Sequence, residues 1–184
     1  MNKIKNLVFL SGFMGSGKST IGPRLAKKLG YGFIDIDNLI EENEGISISE
    51  IFGKHGEKHF RNLEKRILEK IYKNKENVVV ALGGGTLTRK ENRDLVKSGG
   101  ILVYLKTDPR DILERVEKGK IERPMLLAAD RSRLSGRKLL SRIEALLKER
   151  EEHYLEAAVV VETSGKSVSE ALEEITSKLK GKIL

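Results

Sequence analysis

Continuous apolar runs alternate with amphipathic stretches along the whole chain. Leu7-Val8-Phe9-Leu10 has no polar face, which suits a central parallel strand covered on both sides, and it breaks at a glycine-rich stretch. From Ser19 onward, Ile21, Leu25, Ala26 and Leu29 fall on one helical stripe, and Gly30 supplies the stop. Phe33-Ile34-Asp35-Ile36 predicts a short strand. Ser47 with Glu50 forms a capping box for a short helix through Phe52, and Phe60, Leu63, Ile67, Leu68 and Ile71 continue at helical spacing. Val78 to Leu82 predicts a buried strand that ends at Gly83-Gly84-Gly85. Ile101 to Leu105 predicts another, after which Asp108 caps a helix with Pro109 in its first turn. A charged, glycine-containing stretch spans Glu117 to Arg137. Leu139 to Leu155 reads as a long helix and Ala158 to Val161 as a fifth strand, and Ser167 with Glu170 opens a final helix.

Five apolar strands alternating with helices predict an α/β fold. The sheet is parallel, wound by right-handed crossovers and flanked by helices, with ligands at the carboxyl ends of its strands. The pattern does not order the strands within the sheet. The 184 residues suit one domain, without repeat or linker. No apolar run approaches the ~20 residues that cross a bilayer. Leu7 to Leu10 is also too short for the core of a secretory signal. The chain has no cysteine and three histidines, so disulfides, thiolate metal sites and a structural zinc are not expected, and a cytoplasmic location is.

A net charge of +8 raises the question of nucleic acid or membrane surfaces. Basic residues are interleaved with acids, as in Glu64-Lys65-Arg66 and Lys148-Glu149-Arg150, and aromatics make up only 5% of the chain. That is a solvated helical surface without base-stacking platforms. A positive field around a cleft would instead collect small anions.

Gly12-Phe13-Met14-Gly15-Ser16-Gly17-Lys18-Ser19 matches the pattern G-x-x-x-x-G-K-[ST] between a strand and a helix. Backbone N–H groups of such a loop converge on phosphate oxygens, and the following helix presents its positive end there. Lys18 would reach the β- and γ-phosphates and the Ser19 hydroxyl would ligate Mg²⁺. Asp35 and Asp37, two apart at a strand end, share a face while extended, so both can point toward a metal and an acceptor; alternatively Asp37 caps the next helix. Arg61 is either a site residue or solvated helical surface. Gly83 to Gly85 indicate close approach by a ligand or another segment, or else a tight turn.

Together, Gly12-x-Met14-Gly15-x-Gly17-Lys18-Ser19-Thr20-x-Gly22, Asp35-x-Asp37, Gly56-Glu57-x-x-Phe60-Arg61-x-x-Glu64, Gly83-Gly84-Gly85 and Arg123-Pro124-x-Leu126 resemble the shikimate kinases in order and spacing, over about Leu7 to Tyr154. The resemblance implies a P-loop kinase of three layers, similar to nucleoside-monophosphate kinases, with a substrate-binding segment at 35–65 and a mobile lid at 117–137. It implies use of Mg²⁺ and ATP to make shikimate 3-phosphate in aromatic amino acid biosynthesis; a monomer without nucleic-acid or membrane partners is expected. ATP would lie on Gly12, Gly15, Ser16, Gly17, Lys18, Ser19 and Thr20, with Arg115 against the adenine. Ser19 and Asp35 would hold the metal. Asp37 would bind the acceptor diol and assist proton removal, and Lys18, Asp37 and the lid arginine Arg123 would carry catalysis. Arg61 and Arg150 would grip the shikimate carboxylate beside Gly83, Gly84 and Gly85.

The lid departs from the family pattern by extra residues at Ala128 to Lys138, which leaves Arg131, Arg133, Arg137 and Arg142 as competitors for the lid or carboxylate roles. Arg150 is placed by Glu149-Arg150 with Tyr154 four residues on. The Asp-x-Asp, Phe-Arg and Gly-Gly-Gly set argues against gluconate and nucleoside-monophosphate kinases. Intact Lys18, Ser19, Asp35 and Asp37 argue against a regulatory module that has lost transfer activity.

Overall fold

A computed structural model describes residues 7–74, 76–119 and 123–182; residues 120–122 of the expected lid and the opening hexapeptide lie outside them. The elements are β1 (Leu7–Ser11), α1 (Lys18–Leu29), β2 (Gly32–Asp35), α2 (Ile36–Glu44), α3 (Ile48–Asn74), β3 (Val78–Ala81), α4 (Lys90–Gly99), β4 (Gly100–Lys106), α5 (Pro109–Lys118), α6 (Gly136–Tyr154), β5 (Val159–Glu162) and α7 (Val168–Leu179). All strand pairs are parallel, in the order β2-β3-β1-β4-β5.

Successive residues of a strand face opposite sides, so a sheet covered on both faces needs apolar residues at every position. In β1, Leu7 and Phe9 join Val78, Val80, Leu102 and Tyr104 under α3, α4 and α6. Val8 and Leu10 join Val79, Val103, Leu105 and Val161 under α1 and α7. Each such side chain contributes roughly 1.5–3 kcal/mol on burial. A third cluster, Phe13 with Ile112, Val116, Leu126, Leu139, Ile143 and Leu146, ties α5, α6 and a 3-10 turn at Pro124–Leu126 to the start of the phosphate loop.

Most predicted ends hold. Gly30 closes α1 with φ 70, Asp108 accepts a hydrogen bond from Arg110 N, and Ser167 and Glu170 form the reciprocal box of α7. Three features differ from the sequence reading. Ile36 opens a helix instead of ending a strand, because the Asp35 carboxylate accepts from Asp37 N and Asn38 N and so caps α2. The short helix from Ile48 reaches Gly56 instead of ending at Phe52, and a kink there (φ 77, ψ 171) joins it to a second helix that carries Phe60–Ile71. Helix α4 is additional; its buried stripe is Asn92, Val96 and Gly99, too polar to register as a periodicity. Among the described residues no helix is long and apolar enough to cross a membrane.

The carboxyl ends of β1, β2 and β3 lead into Gly12–Gly17, Asp35 and Gly83–Gly85. The sheet therefore delivers the glycines of the phosphate loop, Asp35 and the Gly83–Gly85 run to its carboxyl end, where crevices of open α/β sheets form.

Candidate active site

Residues 12–17 turn from β1 into α1 with positive φ at Gly12, Gly15 and Gly17. Lys18 leans back across this loop, donating to Gly12 O at 2.7 Å and Phe13 O at 3.0 Å. Burial pulls its amine down to about 8, against the pull of Asp37 and Asp35. The Ser16 hydroxyl is buried without a hydrogen-bond partner. A cavity of about 490 Å³ runs over Gly15 to Thr20 toward Arg115 and the Thr163–Val168 turn. Arg115 Nη1 donates to Gly15 O at 2.9 Å, which fastens α5 to the loop.

A second cavity, about 340 Å³, adjoins the first through Met14, Ser19, Asp35, Asp37, Gly84 and Arg123. Ser19 Oγ donates to Asp35 Oδ2 at 2.8 Å. These two hard oxygen donors are a pair that Mg²⁺ accepts alongside phosphate and water; among the described residues there is no cluster of three or more His, Asp or Glu to make an all-protein cage. Asp37 does not extend the strand with Asp35, as its spacing suggested. It stands in the first turn of α2, which brings it back over the strand end beside Asp35. Its Oδ1 is buried and unpartnered. Burial, with Glu64 and Asp35 nearby, raises its carboxyl to about 7. Arg123 is held below its ordinary value by burial, offset by Asp37.

The far wall is a buried polar network. Arg61 Nη1 donates to Glu64 Oε2 at 2.7 Å, and Arg61 Nε and Nη2 donate to Glu57 Oε1. Thr86 Oγ1 donates to Glu64 Oε1 at 2.6 Å, and Asn92 Nδ2 to Thr86 O at 2.9 Å. Glu64 and Asn92 are fully buried. The glycine run is explained by what crowds it. A Cβ on Gly83 would lie 2.5 Å from Glu64 Oε1 and 2.8 Å from Asp37 Oδ1, and one on Gly85 would collide with the Arg61 guanidinium. The run is also a tight turn, leading at once into a 3-10 helix at Thr86–Thr88.

Arg150 is buried and reaches Gly84 O at 3.3 Å, so Arg61, Arg123 and Arg150 all line the second cavity. None of the four competing arginines lines either cavity. Arg142 donates to Met125 O and Arg133 to Gly119 O, Arg131 lies over Gly53, and Arg137 is exposed. The sequence reading gave no role to Glu64, Thr86 or Asn92. For Glu64 a signal existed: it falls on the apolar stripe of Phe60, Leu63, Ile67, Leu68 and Ile71, and a charge there needs a partner. Thr86 and Asn92 carry no such mark.

A sequence model of the family described as shikimate kinase matches residues 14–180. The shikimate kinase of Chlorobaculum tepidum is 46% identical over 177 residues, covering 96% of this chain and 92% of its own. The structure of shikimate kinase from Acinetobacter baumannii in complex with shikimate superposes with a TM-score of 0.85 at 33% identity, covering 96% of this chain and 93% of that one. The shikimate kinase of Aquifex aeolicus superposes with a TM-score of 0.79 at 34% identity, over 95% and 96%.

Proposed function

The chain belongs to the shikimate kinase family, and we propose that it transfers the γ-phosphoryl group of ATP to the 3-hydroxyl of shikimate, giving shikimate 3-phosphate and ADP. One observation carries the reading at the level of the site. The cavity beside the phosphate loop holds the Asp37 carboxylate, whose Oδ1 has no partner, together with two buried guanidinium groups, Arg61 and Arg150. Shikimate is a carboxylated polyol with the complementary arrangement, an anion at one end and hydroxyls at the other. A planar guanidinium grips a carboxylate bidentately, and a carboxylate accepts from a hydroxyl.

In this reading ATP lies along Gly12 to Thr20 with its base toward Arg115, and Lys18 turns from the loop carbonyls to the β- and γ-phosphates. Ser19 and Asp35 would hold Mg²⁺, which would supply neutralisation of the phosphate charge. Asp37 hydrogen-bonds the attacking hydroxyl and takes its proton as the phosphorus–oxygen bond forms. With its carboxyl near 7 it is matched to that exchange at neutral pH. Arg123 faces both cavities, so its charge stands where the bond to ADP breaks. Shutting water out of this space favours the sugar-like acceptor over hydrolysis.

The test is ADP release with shikimate, quinate, gluconate and nucleoside monophosphates offered separately. Turnover with shikimate alone is expected, and none with shikimate would overturn the reading. For the carboxylate grip, Arg61→Lys is expected to raise KM for shikimate about 10–100-fold, the loss of one or two charge-assisted hydrogen bonds. KM for ATP should move by less than about twofold. Steady-state kinetics that left the shikimate KM unaltered would count against Arg61.

A further inference from the structure

Gly84 stands between the two halves of the site: a Cβ there would lie 3.4 Å from Met14 N on the phosphate side and 3.6 Å from Arg150 Nη1 on the acceptor side. Its carbonyl accepts from two donors one helical turn apart on α6, the Arg150 guanidinium at 3.3 Å and the Tyr154 hydroxyl. We propose that Tyr154 is a positioning residue for the reaction: by occupying the Gly84 carbonyl it leaves the Arg150 guanidinium free to turn to an acceptor carboxylate. The inference rests on the assignment of shikimate to this cavity.

Two donors compete for one oxygen. A carbonyl oxygen offers two lone pairs, and here the phenol and the guanidinium share them. The guanidinium bond is long for an N–H···O contact, so Arg150 is loosely tied to Gly84 O while the phenol supplies that oxygen's second donor. Burial pushes the Tyr154 hydroxyl up to about 12, so it remains a neutral donor throughout the working range. Its ring cannot shift to seek another partner. It is 1% exposed and packs on the Tyr104 ring with centroids 5.0 Å apart. Phe13, at the start of the phosphate loop, lies beneath the Arg150 guanidinium at 5.8 Å and limits its other escape. Without the hydroxyl, Gly84 O, which is only partly buried, is left to Arg150 alone, and the guanidinium is drawn off the substrate.

Tyr154→Phe keeps the ring packing and removes only the donor. KM for shikimate is expected to rise about 5–20-fold, with KM for ATP within twofold and the melting temperature close to the parent's. The carboxylate dependence should change as well. The parent's preference for shikimate over its uncharged methyl ester is expected to shrink by the same factor in Y154F, which general loosening of the fold would not produce. In an Arg150→Ala background, Y154F should add no further loss for shikimate. Equal shifts of both KM values, an unchanged ester preference, or a full additive loss in the Arg150→Ala background would each overturn the role of Tyr154. Parent turnover in the same assay separates that outcome from failure of the shikimate assignment itself.

Discussion

Asp37→Asn is expected to lose activity and gain stability at once. The rate should fall by roughly 10²–10⁴-fold, the contribution of a positioned proton acceptor. The stability change follows from the raised carboxyl, at about 7 in the folded chain against an ordinary 3.8. A folded state that holds a proton more tightly than the unfolded one is favoured at low pH, and this advantage fades between the two values as pH rises. Above about 7 the ionised group, with its Oδ1 unpartnered, opposes folding by an amount on the order of a few kcal/mol. Asparagine carries no such charge. D37N should therefore melt about 3–8 °C above the parent at pH 8, with the gap closing toward pH 5. In the parent, kcat/KM should climb as pH passes about 7, and this limb should vanish in the variant. Thermal scans across pH and a pH–rate profile check both halves; a variant that melts lower at pH 8, or that turns over at the parental rate, would refute the assignment.

Lys18→Met should be the most damaging change to nucleotide use. Its ammonium is the cation of the phosphate loop, already held within reach by Gly12 O and Phe13 O. Losing one preorganised charge at a transferring phosphoryl group costs about 10²–10³ in kcat, and weaker ATP binding multiplies the deficit in kcat/KM. Removing Lys18 also strips Asp37 of the group that most favours its ionised form. Any residual pH–rate limb should thus move above 7. Calorimetric ATP titration with steady-state kinetics measures each part, and retention of a tenth or more of parental kcat/KM would exclude the role.

How far these roles were legible in the sequence depends on the kind of constraint. Buried parallel strands announce themselves, since both faces must be apolar; Leu7–Leu10, Val78–Leu82 and Ile101–Leu105 could be placed within a residue or two. The phosphate loop was equally plain, because its chemistry requires particular residues in one contiguous run. The order β2-β3-β1-β4-β5 was not, because backbone ladders between apolar strands carry no side-chain code for their neighbours. Helix α2 was hidden for another reason. It buries little besides Ile36 and Ile40, and the apolar run through Ile36 makes its capping aspartate, Asp35, look like part of a strand. Asp37 was identified from spacing, but for a reason the structure replaces. Arg150 shared its candidacy with four other arginines until burial separated them. The Glu64–Thr86–Asn92 network is buried and spread over 29 positions from Glu64 to Asn92, so no local pattern could reveal it.

Gly56 touches nothing where a side chain would go, yet its dihedrals belong to a region that essentially glycine alone visits. It splits a long rod into two struts: the first presents Ile48 and Phe52 to the acceptor cavity, and the second carries Arg61 and Glu64. A methyl group at this elbow would meet no neighbour and still be rejected by the backbone, whose easiest relief is to straighten. The cavity wall would then swing away from its floor. The spacing between the two walls of the chamber thus depends on the backbone of a residue that does not line it.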